Sequence, residues 1–349
     1  MPDTTTDAFG NTVNCGNGGG ADTFFGLRIA SVFIIMATSM FGALFPVLAR
    51  RSGLRHVIPH NVFEFAKYFG SGVIIATAFI HLLDPATDEL GSPCLGGAWQ
   101  VYPWALALAM FAIFCIFFLE LFAFRWGSAK LAKLGMTYDA HGLGGAEHSH
   151  QHGEVAEQRP DDDSDLEKKL GPGGMTTIEP SSVLDDSALA QITGIFILEF
   201  GILLHSVLIG MTLAVDPNFK VLFVVIIFHQ MFEGLGLGSR LAFLKLPPGY
   251  NYVAVVGALL YGITTPVGIA AGLGIRTTYN PDSTKASIVS GVMDALSAGI
   301  LIYTGLVELL AHEFLFNKEM NNASNKKLAY ACITMLWGAG IMALLGRWA

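Results

Sequence analysis

The chain has 349 residues, of which 52% are hydrophobic and only 14% charged, and its mean hydropathy is +0.53. Soluble domains carry about 25% charged residues, so this composition excludes a soluble globule or a disordered chain and indicates a polytopic membrane protein. The net charge of −8 disfavours a nucleic-acid partner, and 4 cysteines are too few for a disulfide scaffold.

Residues 1–23 are polar and rich in Gly, Thr and Asn, and they lack the basic start and apolar core of a signal peptide. We expect them to form a loose extracellular tail. Eight apolar stretches follow, each long enough to cross a bilayer as a helix of about 20 residues. They span approximately residues 24–49, 62–83, 101–124, 189–215, 219–244, 251–274, 287–311 and 327–346. The sequence thus predicts an all-α membrane protein, with three transmembrane helices in 24–124 and five in 188–349.

Residues 125–187, between the third and fourth spans, differ in composition from the rest of the chain. They are acidic, contain few large apolar residues and carry a Gly/Pro run at 171–174. Such a segment cannot bury enough apolar surface to offset its ordering entropy, so we predict a disordered loop. The loop also contains His148, His150 and His152, which either bind metal loosely by wrapping around it or form a chance polar run.

The distribution of basic residues predicts the orientation of the spans. If the N-terminus lies outside, the inner loops hold most of the 20 Lys and Arg residues, as the positive-inside rule requires. Both termini are then extracellular, and the 125–187 loop is cytoplasmic. On this topology Cys15 and Cys94 both face the oxidising side, where they form a disulfide or remain two free thiols.

Ionisable side chains in the middle of the fourth and fifth spans are the strongest functional signal, because such groups are costly in a bilayer. His205 lies near the middle of the fourth span and His229 near the middle of the fifth. A short turn at 216–218 joins these spans, so we expect antiparallel neighbours with the two histidines at similar depth. Glu233 shares a helix face with His229 at the spacing i, i+4.

Two imidazoles and a carboxylate that meet inside the membrane are a typical ligand set for a divalent transition metal. Ser206 and Gln230 each follow one of the histidines, and they can add weak oxygen ligands or hydrogen bonds that orient the ligands. The alternative is a pair of core histidines hydrogen-bonded across helices. Three ionisable groups at one depth favour the metal site.

A second polar set lies at the outer end of the second span. His81 and Asp84 are neighbours on one helix face, and Asp88 and Glu89 follow just beyond. We predict an entrance funnel that attracts a cation. The alternative is a solvated helix end at the membrane surface.

At the inner end of the seventh span, Glu308 and His312 share a helix face and are predicted to serve metal exit. Here too, a solvated helix end is the alternative. Asp294, in the outer part of the same span, is a less specific candidate for the same path.

The sequence resembles the ZIP family of metal transporters at these residues. The likeness rests on His205-Ser-Val with Gly210, on the string HQMFEG from His229 to Gly234 and on the His-containing loop, and it extends over all eight spans. It is most similar to the fungal and plant plasma-membrane branch that takes up zinc or iron. The resemblance implies a 3+2+3 arrangement, with inverted repeats around the central helix pair, and import by alternating access.

Three features depart from the two-metal pattern of some ZIP relatives. Ile209 replaces an acid four residues after the first histidine, Ile74 replaces a methionine, and the sixth span contains no glutamate. We therefore predict one central metal, bound by His205, His229 and Glu233.

The leading prediction is a Zn²⁺ importer that needs no cofactor, with Fe²⁺, Cd²⁺ and Mn²⁺ as alternative substrates. A zinc transceptor and an intramembrane metal-dependent hydrolase are competing functions, although no His-Glu-x-x-His string supports the enzyme. The expected partners are the metal ion, the lipid bilayer, a second copy of the chain and, at the cytoplasmic loop, the ubiquitination and endocytosis machinery. The expected location is the plasma membrane, with another endomembrane as the alternative.

Overall fold

The protein is described here from a computed structural model. The structure describes residues 4–6, 12–16, 23–51, 59–132, 186–244, 250 and 252–348. Most of the predicted acidic loop, including His148, His150 and His152, lies outside these residues, so the predictions for the loop stay predictions.

The described chain is mainly helical, and eight of its helical units are long and apolar enough to cross a membrane. The helices are α1 (Phe25–Arg51), α2 (His60–Ala76), α3 (Asp84–Leu90), α4 (Ala98–Val101), α5 (Trp104–Ala132), α6 (Asp186–Val215), α7 (Phe219–Phe243), α8 (Tyr252–Ile275), α9 (Thr284–Tyr303), α10 (Lys318–Asn321) and α11 (Asn325–Leu345). The π-helical segments Thr77–Leu83 and Thr304–Leu315 continue α2 and α9. The prediction of eight transmembrane helices is confirmed, although two spans are longer than predicted. The second span continues through α3 to Leu90, and the seventh continues through its π-helical segment to Leu315.

The long helices pack as two bundles. In the first bundle, α1 contacts α7 and α8, and α6 contacts α8. In the second bundle, α11 packs on α2, while α3 and α5 pack on α9. The bundles meet where α2 contacts α7 and where α6 contacts α9. We call the end at which α1 begins the outer end, following the orientation predicted from the charges.

Glycines allow the helix backbones to approach closely, both between the two bundles and within the first bundle. Gly70 of α2 faces Gly236 of α7 across the boundary between the bundles, where a Cβ on Gly70 would overlap the opposite backbone. Within the first bundle, a Cβ on Gly210 of α6 would lie 2.5 Å from the carbonyl oxygen of Thr265 in α8. Small residues at helix contacts are typical of membrane bundles. They bring the polar side chains of α6, α7 and α8 within reach of one another.

Arg28 of α1 is fully buried near the outer end, where it fixes the turn between α6 and α7. Its guanidinium donates hydrogen bonds to the carbonyl oxygens of Leu213, Ala214 and Asp216, at 3.1, 3.0 and 2.7 Å. It also lies over the ring of Phe219, 4.5 Å from the centroid. A cation that satisfies the last carbonyl groups of a helix stabilises that helix end. This contact holds the predicted α6–α7 hairpin in place.

The N-terminal segment differs from the loose tail expected from its composition. Its described residues form two short antiparallel strands, β1 (Thr4–Thr6) and β2 (Thr12–Asn14). A disulfide joins Cys15 to Cys94, with the two Cα atoms 5.4 Å apart, so the cysteines are paired rather than free. The Asn280 amide donates hydrogen bonds of 2.7 Å to the carbonyl groups on either side of Cys15. The segment is thus fastened to the loops at the outer end.

The inner ends of the bundles are joined by four polar residues, Lys67, Ser71, Arg240 and Glu313, which we call the inner ionic cluster. Glu313 pairs with Lys67, and its second oxygen lies 3.5 Å from a guanidinium nitrogen of Arg240. Arg240 also donates a hydrogen bond to Ser71. Arg240 belongs to α7 in the first bundle, whereas the other three residues belong to the second. The cluster is therefore an ionic contact between the bundles.

Candidate metal site

The three predicted metal ligands lie together in the interior. His229 and Glu233 of α7 have no exposed surface, and His205 of α6 is 3% exposed. Nε2 of His229 lies 3.8 Å from Oε2 of Glu233, and the rings of His205 and His229 have centroids 5.6 Å apart. The short turn between α6 and α7 sets this matched depth, as the sequence predicted.

These side chains carry polar atoms that are buried without a partner. Nε2 of His205, Nδ1 of His229 and Oε1 of Glu233 have no hydrogen-bond partner within the described structure. Buried polar groups are nearly always paired, and an orphaned group costs about 1–3 kcal/mol. His205 and His229 are not hydrogen-bonded to each other, and Nε2 of His205 is free of any hydrogen bond within the described structure.

The ligands are close together but not yet gathered around one point. Among the described residues, no three His, Cys, Asp or Glu side chains form a ready metal-binding group. The 3.8 Å between His229 and Glu233 exceeds the roughly 3.4 Å that separates neighbouring ligand atoms of tetrahedral zinc with 2.0–2.1 Å bonds. Small side-chain rotations would gather them on an ion.

Neighbouring polar residues orient this group and offer further oxygen atoms. The hydroxyl of Tyr261 donates to the backbone carbonyl of Gln230 at 2.7 Å and lies 3.4 Å from Oε2 of Glu233. The Gln230 amide nitrogen donates to the Thr265 hydroxyl, which leaves its Oε1 buried and without a partner. Ser206 Oγ is likewise buried and unpartnered within the described residues. Both predicted oxygen donors therefore have an atom to offer.

His81 lies beside the central histidines rather than at the mouth of the entrance path. Its ring packs edge-on against His229, with centroids 4.7 Å apart, and its Nε2 lies 2.8 Å from the carbonyl oxygen of Met342. The reason is local: the second span does not end at residue 83 but continues through α3 to Leu90. His81 therefore sits deeper than the sequence pattern suggested.

The predicted outer acids divide into two groups. Asp84 and Asp88 are exposed at the surface of α3. Glu89 instead packs close to Gly291 of α9, about one helical turn before Asp294. Asp294 is 8% exposed, and its Oδ1 lies 3.5 Å from Nδ1 of His205. Of these outer acids, Asp294, which the sequence pattern ranked lower, is thus shown in contact with a buried histidine.

At the inner end, the predicted exit residues form a pair. Nδ1 of His312 lies 3.4 Å from Oε2 of Glu308, and each side chain is 29% exposed. The Glu308 carboxylate lies beside Gly194 of α6, which places it next to the helix that carries His205. Glu120 of α5, which the sequence analysis missed, accepts a 2.6 Å hydrogen bond from Tyr303 on α9.

Glu199 of α6 is a second acid that sequence reasoning did not single out. It is 5% exposed, packs against Gly257 of α8, and has one carboxylate oxygen without a partner in the described structure. An acid within an apolar span was a readable signal for both Glu199 and Glu120. What the sequence could not show is which helix each acid faces.

Comparison with known proteins identifies the family. A family model described as "ZIP Zinc transporter" matches residues 25–346, which includes every spanning helix. The chain belongs to the ZIP family of zinc transporters. It is 40% identical to Zinc-regulated transporter 1 of Saccharomyces cerevisiae, over 93% of this chain and 88% of the yeast protein. It is 41% identical to Zinc-regulated transporter 1 of Schizosaccharomyces pombe, over 97% of this chain and 90% of that protein. It is 35% identical to Zinc transporter 3 of Arabidopsis thaliana, over 92% of this chain and 84% of the plant protein.

Membership of the ZIP family confirms the predicted class of the protein. It is a multi-pass membrane protein with zinc as its transported substrate, and the family is one of transporters rather than enzymes. The ZIP match also spans both bundles, so the buried histidines and the helices around them all lie within the matched residues.

Proposed function

We propose that this protein imports Zn²⁺ into the cytoplasm and that the ion passes through the site formed by His205, His229 and Glu233. One observation carries this assignment: three buried groups of metal-ligand type meet inside a zinc transporter with their polar atoms unpartnered. Ser206 and Gln230 supply weaker oxygen donors. Two imidazoles and one carboxylate suit transport, because binding must offset dehydration of the ion yet still permit its release.

The division into two bundles supports alternating access as the mechanism. The three central ligands belong to the first bundle, whereas His81 and Asp294 belong to the second. A shift of one bundle against the other would expose the ion first to one side and then to the other. The exposed Asp84 and Asp88, together with Glu89, would attract the cation at the outer end. Their charge raises the local cation concentration.

Glu308 and His312 are the proposed exit residues. Both are partly exposed, and Glu308 lies against α6, so an ion leaving His205 toward the inner end would meet a carboxylate paired with an imidazole there. Their partial exposure favours exchange of the ion with water, which release requires.

We also propose that the outer end faces the extracellular side of the plasma membrane, with both termini outside. Two observations support this orientation: the excess of Lys and Arg in the opposite loops and the Cys15–Cys94 disulfide, since disulfides persist in oxidising compartments. Labelling of intact cells with a membrane-impermeant reagent should reach a tag placed at the N-terminus. Labelling only after permeabilisation would contradict this orientation.

Purified protein in liposomes that contain a zinc-sensitive dye tests the function directly. We expect saturable zinc entry that empty liposomes lack, and competition by Fe²⁺, Cd²⁺ and Mn²⁺ then measures the range of substrates. Imidazole and carboxylate ligands accept several of these ions, so we expect Cd²⁺ to compete most strongly. Absence of flux, combined with hydrolytic activity, would favour the hydrolase alternative instead.

The histidines of the cytoplasmic loop are proposed to sense the metal load rather than to carry the ion. Replacing His148, His150 and His152 by alanine should leave the initial rate of zinc uptake within about twofold of wild type, because the proposed path does not use these side chains. The same variant should slow the removal of the transporter from the membrane after zinc is added. Surface biotinylation over time measures this removal. Collapse of initial uptake would instead make the loop part of the path.

A further inference from the structure

Asp294 makes a contact with the central site that the site's own helices do not provide. It belongs to α9, yet its Oδ1 lies 3.5 Å from Nδ1 of His205 on α6. Asp294 is 8% exposed and His205 is 3% exposed, and neither of these two atoms has another hydrogen-bond partner within the described structure. A buried carboxylate is costly in a membrane and by default indicates a functional residue. The position of Asp294 against an imidazole therefore suggests a function at the central site.

The geometry determines which nitrogen of His205 can bind an ion. Nδ1 faces the Asp294 carboxylate, so Nε2, which is buried without a partner, remains for the metal. A histidine that binds zinc nearly always donates its other ring N–H to a carboxylate or carbonyl, which selects the tautomer and orients the ring. The 3.5 Å separation lies at the long end of the hydrogen-bond range.

We propose that Asp294 is a positioning residue for zinc binding: it accepts the Nδ1–H of His205 and thereby presents Nε2 to the ion. This inference rests on the proposed function, because it assumes that His205 is a ligand. The contact also crosses the boundary between the bundles, since His205 lies in the first and Asp294 in the second. Movement of the bundles separates the pair, so His205 becomes a weaker ligand when the ion is to be released.

Zinc affinity of the purified full-length protein, measured by competition with a zinc-binding dye, tests the proposal. Asp294→Ala should weaken binding by about 10–100-fold, the usual cost of removing a partner that orients a ligand. Asp294→Asn should recover roughly threefold or more of this loss, because its amide oxygen still accepts the Nδ1–H. Because asparagine also keeps the volume of aspartate, Asp294→Leu is the packing control: it has a similar volume but no acceptor, so it should lose as much affinity as Asp294→Ala does. Recovery by leucine equal to that by asparagine would indicate that Asp294 serves only packing.

A double variant shows whether Asp294 acts through His205. His205→Ala and the double variant with Asp294→Ala should bind zinc equally within about twofold, because the second change has no ring left to orient. The matched control is Asp282→Asn, because Asp282 is an acid that lies just before α9. This variant should bind zinc as wild type does. All variants are compared at equal yield of folded protein.

Two results would overturn the positioning role. The first is wild-type zinc affinity in Asp294→Ala. The second is an equal loss of zinc affinity in Asp294→Asn and Asp294→Ala, together with a further loss when Asp294→Ala is added to His205→Ala. That second result would make Asp294 a direct ligand. The proposed function fails separately, if His205→Ala itself binds and transports zinc as wild type does.

Discussion

Replacing His229 by alanine should lower zinc uptake at least tenfold, and on the order of a hundredfold. Removal of a residue that merely orients a ligand already costs about 10–100-fold in metal affinity, so removal of a ligand should cost no less. His229 is the ring that both other histidines contact, with centroids 4.7 Å from His81 and 5.6 Å from His205. We expect His205→Ala and Glu233→Ala to lower zinc uptake by a similar factor. Uptake of radioactive zinc into metal-starved cells, normalised to the amount of transporter at the surface, measures the effect.

His60→Ala is the matched control for this series. His60 lies at the inner end of α2 with its side chain 72% exposed, and its Nδ1 lies 3.8 Å from a carboxylate oxygen of Glu64. Its removal should change uptake by less than about twofold, because an exposed ion pair contributes little. Wild-type uptake in all three central variants, at equal surface amount, would reject the site.

The variant Glu313→Gln should cause the largest loss of stability. Glu313 is the single carboxylate of the inner ionic cluster, and it contacts both Lys67 and Arg240. The side chains of Lys67 and Arg240 are only 17% and 13% exposed, so the change would leave two shielded cations side by side. Removal of one partner from a buried ion pair costs about 3–5 kcal/mol. Thermal unfolding of the purified protein in detergent should therefore begin at a clearly lower temperature.

Charge compensation distinguishes this electrostatic cause from a packing defect. Adding Lys67→Met to Glu313→Gln removes one of the two cations and should recover part of the lost stability. The control is Glu319→Gln at the same end of the molecule. Glu319 is 77% exposed and receives a 2.8 Å hydrogen bond from Lys327, which lowers the pKa of Glu319. Exposed pairs of this kind are worth about 0–1 kcal/mol, so this variant should unfold nearly as wild type does. Equal stability of Glu313→Gln and wild type would contradict the prediction.

The cluster also bears on transport, because it joins the bundles. Arg240 lies on the same helix as His229 and Glu233, and its partners lie on α2 and on the π-helical continuation of α9. A shift of the first bundle would have to break these contacts. A stable Glu313 contact therefore favours the arrangement seen here, in which the inner ends of α2 and α7 are in contact.

Much of the central site could be predicted because its information is local. The spacing of His229 and Glu233 on one helix and the short turn between α6 and α7 are enough to place three ionisable groups at one depth. The spans themselves follow from hydropathy, since a bilayer admits only long apolar helices here. The structure confirms both the eight spans and the meeting of His205, His229 and Glu233.

The sequence by itself thus determined the membrane class, the eight spans and the meeting of His205, His229 and Glu233, whereas only the tertiary structure decided what surrounds these three side chains. His81 and Asp294 come from distant spans, and their partnership with the central histidines depends on how the helices rotate and pack. The same holds for the pairing of Glu313 with Arg240 and for the Cys15–Cys94 disulfide. Hydropathy and periodicity describe one helix at a time. Which faces meet is set by close glycine contacts and by π-helical turns that shift the register, and neither appears in the pattern of a single span.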